Sequence, residues 1–150
     1  IIMNPQFKIT KMNILFLCIG NSARSQIAEA LAKDMLPNSF DIRSAGSMPA
    51  ENVHEHAILV MSNVGIDISK NITKSINTIE KEFLNNLDYA ITLCAEEVCP
   101  VVPEATKIFH WPNEDPDNDK FNGIQSENAF IKTRNNIFNL LKKFIITEDL

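Results

Sequence analysis

Three cysteines, Cys18, Cys94 and Cys99, have the widest chemical range of any residues in this sequence. Cys18 begins the segment CIGNSARSQ (residues 18–26), which lies between a short apolar run and a stretch with helical spacing. Unpaired backbone N–H groups at the start of a helix can hold a tetrahedral oxyanion. A thiolate beneath a bound oxyanion is an activated nucleophile. The segment therefore predicts an anion site with Cys18 as its nucleophile.

The other residues of this segment suit an anion-binding loop. Gly20 and Asn21 tolerate the positive φ that a nest of N–H groups requires, and Arg24 offers a planar fork of donors to two anion oxygens. Ser25 is placed to donate a hydrogen bond to the Cys18 sulfur, and these donors together favour the thiolate over the thiol. The residues expected to bind the substrate form the anion loop (residues 18–24): Cys18, Ile19, Gly20, Asn21, Ser22, Ala23 and Arg24.

Cys94 and Cys99 follow a later apolar run and have four residues between them. Such a pair can close a small disulfide loop if the segment bends, and in a reducing compartment it is more typical of redox chemistry than of structure. A zinc site that uses Cys94, Cys99 and His110 is a competing interpretation, but no fourth Cys or His has suitable spacing. A third interpretation is that Cys94 and Cys99 have no common function. We predict no metal site.

Asp115 stands before a proline in the segment HWPNEDP (residues 110–116). A carboxylic acid on a loop after a strand can protonate a leaving oxygen, although an Asp before Pro is also an ordinary turn residue. Asp115, Asp117 and Asp119 alternate like the start of a calcium-binding loop. Lys120 and Ser126 stand where that loop needs Gly and Glu, so we predict no calcium site.

Strand and helix patterns alternate along the chain and must position these residues. Short apolar runs predict buried strands at 13–17, 40–45, 88–93 and 106–110. Apolar residues at helical spacing predict helices at 21–36, 53–64, 78–87 and 126–146. This alternation predicts an α/β fold, a three-layer sandwich in which helices flank a four-stranded parallel sheet. Ligands bind at the carboxyl edge of such sheets, where the anion loop lies.

Two histidines, His54 and His56, fall within the second helical pattern. Residues two apart on a helix do not share a face. We therefore expect them to be separate surface residues.

Composition and charge limit the class of protein further. The 150 residues suit one domain, which we expect to span residues 12–150 after an N-terminal extension at 1–11. The net charge of −5 argues against a general nucleic-acid or membrane-surface binder, and no apolar run is long enough for a membrane span. An odd number of cysteines and the lack of a signal-peptide pattern favour a cytoplasmic location.

The segment CIGNSARSQ, followed by IAEAL, resembles the anion loop of the low-molecular-weight protein tyrosine phosphatase superfamily. From about Met12 to Phe144 the chain is most similar to the arsenate reductases of that superfamily that couple to thioredoxin. The resemblance implies that Cys18 attacks an arsenate or phosphate oxyanion, with Arg24 and Ser25 beside it and Asp115 as general acid.

The resemblance also implies a relay of thiols. Cys94 attacks Cys18, Cys99 then attacks Cys94, and the resulting Cys94–Cys99 disulfide is reduced by thioredoxin or a similar thiol carrier. The implied enzyme reduces arsenate to arsenite without an organic cofactor or a metal, and we expect it to be a monomer.

Two other functions stay open at this point. The same pocket can hydrolyse an aryl phosphate if water resolves the intermediate, although the acidic, non-aromatic residues 117–119 disfavour a phosphotyrosine peptide. A thiol redox sensor, in which oxidation of Cys94 and Cys99 changes a binding surface, is the other alternative. A sensor would not require Arg24 or Asp115.

Some relatives bind potassium beside the anion loop. Asn21, Glu29 and Ser44 match three of their ligands, and Lys74 stands in place of the fourth, which is an acid. A lysine ammonium can substitute for the cation. We therefore expect this protein not to need potassium.

Overall fold

The computed structural model describes residues 11–95, 107–118 and 120–150. The strands of this part of the chain are β1 (Asn13–Cys18), β2 (Asp41–Gly46), β3 (Tyr89–Cys94) and β4 (Lys107–Asn113). Its helices are α1 (Arg24–Met35), α2 (Glu55–Ser62), α3 (Lys81–Asn85) and α4 (Ile124–Thr147), with a 3-10 turn at Ile76–Thr78. None of these helices combines the length and the apolar composition needed to cross a membrane.

The strands form one parallel sheet in the order β2-β1-β3-β4. The central strands β1 and β3 are buried along almost their whole length, as expected for a parallel sheet with both faces covered. The larger core lies on the side of α1, α2 and α4, and a smaller core lies on the side of α3. The predicted fold class, an α/β sandwich around a four-stranded parallel sheet, is confirmed.

Cys18 and Cys94 both end strands at the carboxyl edge of the sheet. Cys18 pairs with Gly46 of β2, and Cys94 pairs with Asn113 of β4. Because β1 is an inner strand, Cys18 has neighbours on both sides. The chain segments that follow β1 and β2 meet beside Cys18, where the Met48 N–H donates to the Ile19 carbonyl.

Most predicted bounds differ from the structure by one to three residues, and the third helix spans Lys81–Asn85 instead of residues 78–87. The first helix begins at Arg24 instead of residue 21, because Asn21 has a φ of 48° that a helix does not allow. β4 continues to Asn113 through Pro112, which an edge strand tolerates. The last helix begins at Ile124, directly after Gly123, whose φ is 54°.

The end of α4 is fixed to the start of the sheet by Glu148. Its Oε1 accepts hydrogen bonds from the Tyr89 hydroxyl at 3.0 Å and from Lys107 Nζ at 2.7 Å. These two bonds lower the pKa of Glu148. Burial, followed by the contact with Glu148, raises the pKa of Tyr89 to about 12.

Candidate active site

Cys18 ends β1 with its sulfur inside the anion loop. The backbone N–H of Asn21 donates to Cys18 Sγ at 3.3 Å, and Ser25 Oγ lies 2.8 Å from the same sulfur. Only 2% of Cys18 is exposed. The geometry agrees with the sequence prediction that the sulfur sits in the anion loop and contacts Ser25.

Asn21 organises the contacts around this sulfur, and it is fully buried. Its Nδ2 donates to Ser25 Oγ at 2.7 Å and to Ser44 Oγ at 2.9 Å. Its Oδ1 accepts from Gln26 Nε2 at 3.1 Å and from the Lys74 backbone N–H at 2.9 Å. Because Ser25 Oγ accepts from Asn21, its own proton remains available to the sulfur. A donor at this position would stabilise negative charge on Cys18.

The hydrogen bonds continue from Asn21 to a buried carboxylate. Ser44 donates to Glu29 Oε1 at 2.5 Å. Lys33 Nζ lies 2.6 Å from Glu29 Oε2, and Lys74 Nζ lies 3.7 Å from Oε1. Glu29 is only 6% exposed, so two ammonium groups compensate its buried charge. Sequence reasoning missed Lys33, which the spacing of an i,i+4 Glu–Lys pair would have indicated.

Arg24 reaches from the start of α1 to the end of β4. Its Nη1 donates to the Asn113 carbonyl at 2.9 Å, and its Nη2 lies 3.8 Å from Asp115 Oδ2. Arg24 is 3% exposed. The Asn113 side chain donates to the Trp111 carbonyl at 2.9 Å, which holds this part of β4 in shape. Sequence reasoning missed Asn113 because it ended the strand at residue 110.

Asp115 lies on the acid loop (residues 114–118), which follows β4. Its side chain is 41% exposed, and its Oδ1 accepts the backbone N–H of Asp117 at 3.0 Å. The structure thus brings Asp115 to the Arg24 guanidinium at the end of the anion loop. A cavity of about 450 Å³ between the acid loop and α4 is lined by Asp115, Phe121 and Lys132, among others.

Gly46 allows β2 to approach the anion loop closely. A Cβ at this position would lie 2.4 Å from the Ile19 carbonyl oxygen, which is too short for a contact between nonbonded atoms. The chain after Gly46 then supports the loop, because Met48 N–H donates to that carbonyl at 2.9 Å.

Cys94 is fully buried at the end of β3, the strand next to β1. Cys99 lies outside the described residues, and with it the predicted disulfide and the alternative zinc site. Among residues 11–95, 107–118 and 120–150, no group of His, Cys, Asp and Glu could hold a metal ion.

The expectation that His54 and His56 lie apart is wrong. Their rings stack with centroids 5.4 Å apart, and both pack against Phe130 of α4. His54 is not inside a helix. It is the N-cap of α2, with extended backbone angles of −65° and 136°, so the helical spacing rule does not apply.

Comparisons with known proteins agree with this geometry. Residues 13–145 match the family model of the low molecular weight phosphotyrosine protein phosphatases. An arsenate reductase of Shouchella clausii is 38% identical over 143 residues, which cover 93% of this chain and 99% of that protein.

Two solved structures are informative. An arsenate reductase in the phosphate-binding state has a TM-score of 0.76 at 30% identity, covering 93% of this chain and 98% of that one. The thioredoxin-dependent arsenate reductase of Corynebacterium glutamicum has a TM-score of 0.65 at 28% identity, covering 93% of this chain and 64% of that one. The chain therefore belongs to the low molecular weight phosphotyrosine protein phosphatase family, in which it is similar over almost its whole length to arsenate reductases.

Proposed function

We propose that this protein is an arsenate reductase that uses Cys18 as its nucleophile. The observation that carries this proposal is the pair of polar groups at one sulfur: the Asn21 N–H and the Ser25 hydroxyl both contact Cys18 Sγ. Arg24, which ends the same loop, contacts Asp115. A structural neighbour in a phosphate-binding state supports an oxyanion as ligand, because arsenate and phosphate share charge and tetrahedral shape. The arsenate reductases among the relatives favour arsenate.

The first step is a displacement at arsenic. The Cys18 thiolate forms an S–As bond, and one As–O bond breaks. Asp115 protonates the departing oxygen, which leaves as water. Arg24 and the loop N–H groups hold the remaining oxygens. Arsenic is still pentavalent after this step.

The second step reduces arsenic and oxidises two thiols. Cys94 attacks the Cys18 sulfur, and the electron pair of the S–As bond passes to arsenic, which leaves as arsenite. A Cys18–Cys94 disulfide remains. Cys99 then attacks Cys94, the Cys18 thiolate is released, and a Cys94–Cys99 disulfide forms. Because Cys94 is buried, an external thiol cannot reach it directly, which is why the relay needs Cys99.

A dithiol carrier of the thioredoxin type closes the cycle by reducing the Cys94–Cys99 disulfide. The thioredoxin-dependent structural neighbour supports this choice. Such a carrier operates in a reducing cytoplasm, and we propose that the protein acts there as a monomer.

Arsenate-dependent oxidation of NADPH in the presence of thioredoxin and thioredoxin reductase tests the proposal. We expect turnover by the wild type and none by Cys94→Ser or Cys99→Ser. Cys99→Ser should still release one arsenite per molecule, because Cys94 is present, whereas Cys94→Ser should release none. Both variants should retain aryl phosphate hydrolysis if the anion site is intact, and Cys18→Ser should lose every activity. Normal turnover by Cys94→Ser and Cys99→Ser would disprove the relay.

Hydrolysis of aryl phosphates is the second candidate function, and one observation favours it. Phe121 lines the cavity that also contains Asp115, so an aromatic wall is present although residues 117–119 lack one. Phe121→Ala should then raise KM for phenyl phosphate and leave KM for arsenate unchanged.

Arg24→Ala distinguishes a redox sensor from both enzymes. In a sensor this change should leave the response to oxidation intact, whereas an arsenate reductase or a phosphatase should lose its activity.

A further inference from the structure

His54 is a side chain that the proposed mechanism does not use, yet it touches the anion loop. Its backbone N–H donates to the Ser22 carbonyl at 2.9 Å. Its Nδ1 accepts the backbone N–H of His56 at 3.0 Å, which caps α2. With Nδ1 as acceptor, a neutral His54 ring carries its proton on Nε2.

The Nε2 of His54 is directed to the acid loop. It lies 3.4 Å from Asp117 Oδ1. Packing restricts rotation of the His54 ring, because its centroid lies 4.6 Å from that of the Phe130 ring and 5.4 Å from that of the His56 ring. The Asp117 side chain is 62% exposed, whereas the His54 side chain is only 23% exposed. The exposed carboxylate therefore contacts a ring that is held by its neighbours.

Asp117 is linked in turn to the general acid. Its backbone N–H donates to Asp115 Oδ1 at 3.0 Å, and Asp115 Oδ2 lies 3.8 Å from Arg24 Nη2. These contacts form a continuous series that begins in the anion loop at Ser22, passes through His54, Asp117 and Asp115, and ends in the same loop at Arg24. Within this series of contacts, His54, the N-cap of α2, joins the two loops through its side chain.

We propose that His54 is a positioning residue that ties the acid loop to the anion loop and thereby sets the place of Asp115 over the bound oxyanion. This inference rests on the proposed function, in which Asp115 is the acid. A half-exposed aspartate on a loop otherwise samples several side-chain conformations, and a misplaced catalytic group lowers the rate of reaction strongly. His54 itself does not contact the substrate.

A role in capping α2 alone is the alternative, and His54→Asn separates the two. Asparagine is among the best N-cap residues, but its side chain is too short to reach Asp117. We expect His54→Asn to keep the melting temperature and to lower kcat for arsenate reduction about tenfold with KM unchanged within about twofold. Asp117→Ala should do the same, while Asp117→Asn, which keeps the Oδ1 acceptor, should retain a near wild-type kcat.

The double variant His54→Asn/Asp117→Ala should be no slower than either single variant, because both changes break one contact. Aryl phosphates give a second readout. The variants should be slow with phenyl phosphate and nearly normal with p-nitrophenyl phosphate, whose leaving group needs little protonation. Asp67→Ala, a change at another exposed loop aspartate that accepts a local N–H, serves as the matched control and should alter neither substrate.

Asp115→Asn distinguishes failure of this inference from failure of the proposed function. If it abolishes arsenate reduction while His54→Asn and Asp117→Ala keep kcat, the positioning role is wrong and the proposed acid stands. If Asp115→Asn also has no effect, the acid assignment fails, and the inference fails with it. A rise in KM at constant kcat in the His54 variant would equally overturn the proposal, because it would indicate support of anion binding alone.

Discussion

Asn21 links the Cys18 sulfur to a buried ion pair through hydrogen bonds to Ser25 and Ser44. Each of its amide hydrogens and both lone pairs of its oxygen have a partner. Because Asn21 donates to Ser25 Oγ, the Ser25 proton remains available to the Cys18 sulfur. The residue types around Cys18 were predictable because they are close in sequence. Ser44 as the link to Glu29 was visible only as a match to a family ligand.

Replacing Ser25 by alanine removes the hydroxyl that donates to the Cys18 sulfur. A hydrogen bond to a charged group contributes about 1.5–3 kcal/mol, so we expect alkylation of Cys18 by iodoacetamide at neutral pH to slow by about tenfold or more. The measurement follows the mass of modified protein over time, in a background with Cys94 and Cys99 changed to serine. Ser47→Ala, at an exposed serine after β2, is the control. Equal alkylation rates in the two variants would contradict the role of Ser25.

The ion pairs of Glu29 bear on potassium. Lys33 and Lys74 already compensate this carboxylate, so the wild type should have the same kcat/KM for arsenate in potassium chloride and in sodium chloride, within about twofold. Lys74→Asp places an acid beside Glu29 and should lower kcat/KM in sodium, with partial recovery in potassium. Steady-state kinetics at constant ionic strength measure both effects. A large, specific activation of the wild type by potassium would refute this expectation.

At the scale of elements, the end of β2 supports the anion loop and the end of β4 supports Arg24. Periodicity predicted each strand to within a few residues, because the buried runs are continuous. It missed the extension of β4 to Asn113, since Pro112 and polar residues look like a loop, and pairing with β3 decides otherwise. It also began the first helix too early, because residues 21–23 belong to the anion loop, where Asn21 has a positive φ and its N–H donates to the Cys18 sulfur.

Gly46→Ala tests the close approach of β2 to the anion loop. The new Cβ would meet the Ile19 carbonyl at 2.4 Å, so the loop must move. We expect a loss of about 1–3 kcal/mol in the free energy of unfolding and a loss of arsenate turnover. Gly65→Ala is the control, since its φ of 82° strains any side chain while nothing lies within 4 Å of the added atom. It should lower stability and leave kcat/KM unchanged, and similar kinetic effects of the two variants would contradict the argument.

At the scale of the whole molecule, the strand order β2-β1-β3-β4 gathers residues that are far apart along the chain. The bond from Arg24 to Asn113 and the contact from His54 to Asp117 both join distant elements. The alternation of strand and helix patterns in the sequence predicted the layers of sheet and helices, because each pattern of apolar residues depends on the local environment of its own element. They could not predict these contacts, which depend on how the elements pack together.

Glu148 closes the molecule at the opposite edge of the sheet, and its lowered pKa predicts a pH dependence of stability. A carboxylate whose pKa is lower in the folded state binds fewer protons there than in the unfolded chain. Its contribution is therefore complete above the ordinary carboxyl pKa of about 4.3 and is lost as the pH falls through the lower folded value. Glu148→Gln should reduce the urea midpoint of unfolding at pH 7 relative to the wild type, and the difference should shrink toward pH 3.

The exposed Glu82 of α3 provides the comparison for this experiment. Glu82→Gln should leave the urea midpoint nearly unchanged at both pH values, because the effect at Glu148 comes from Lys107 and Tyr89 and not from carboxylates in general. Lys107→Met should reproduce part of the loss at pH 7. A difference between the wild type and Glu148→Gln that stays constant from pH 7 to pH 3 would show that packing of α4, rather than the charge of Glu148, holds this edge.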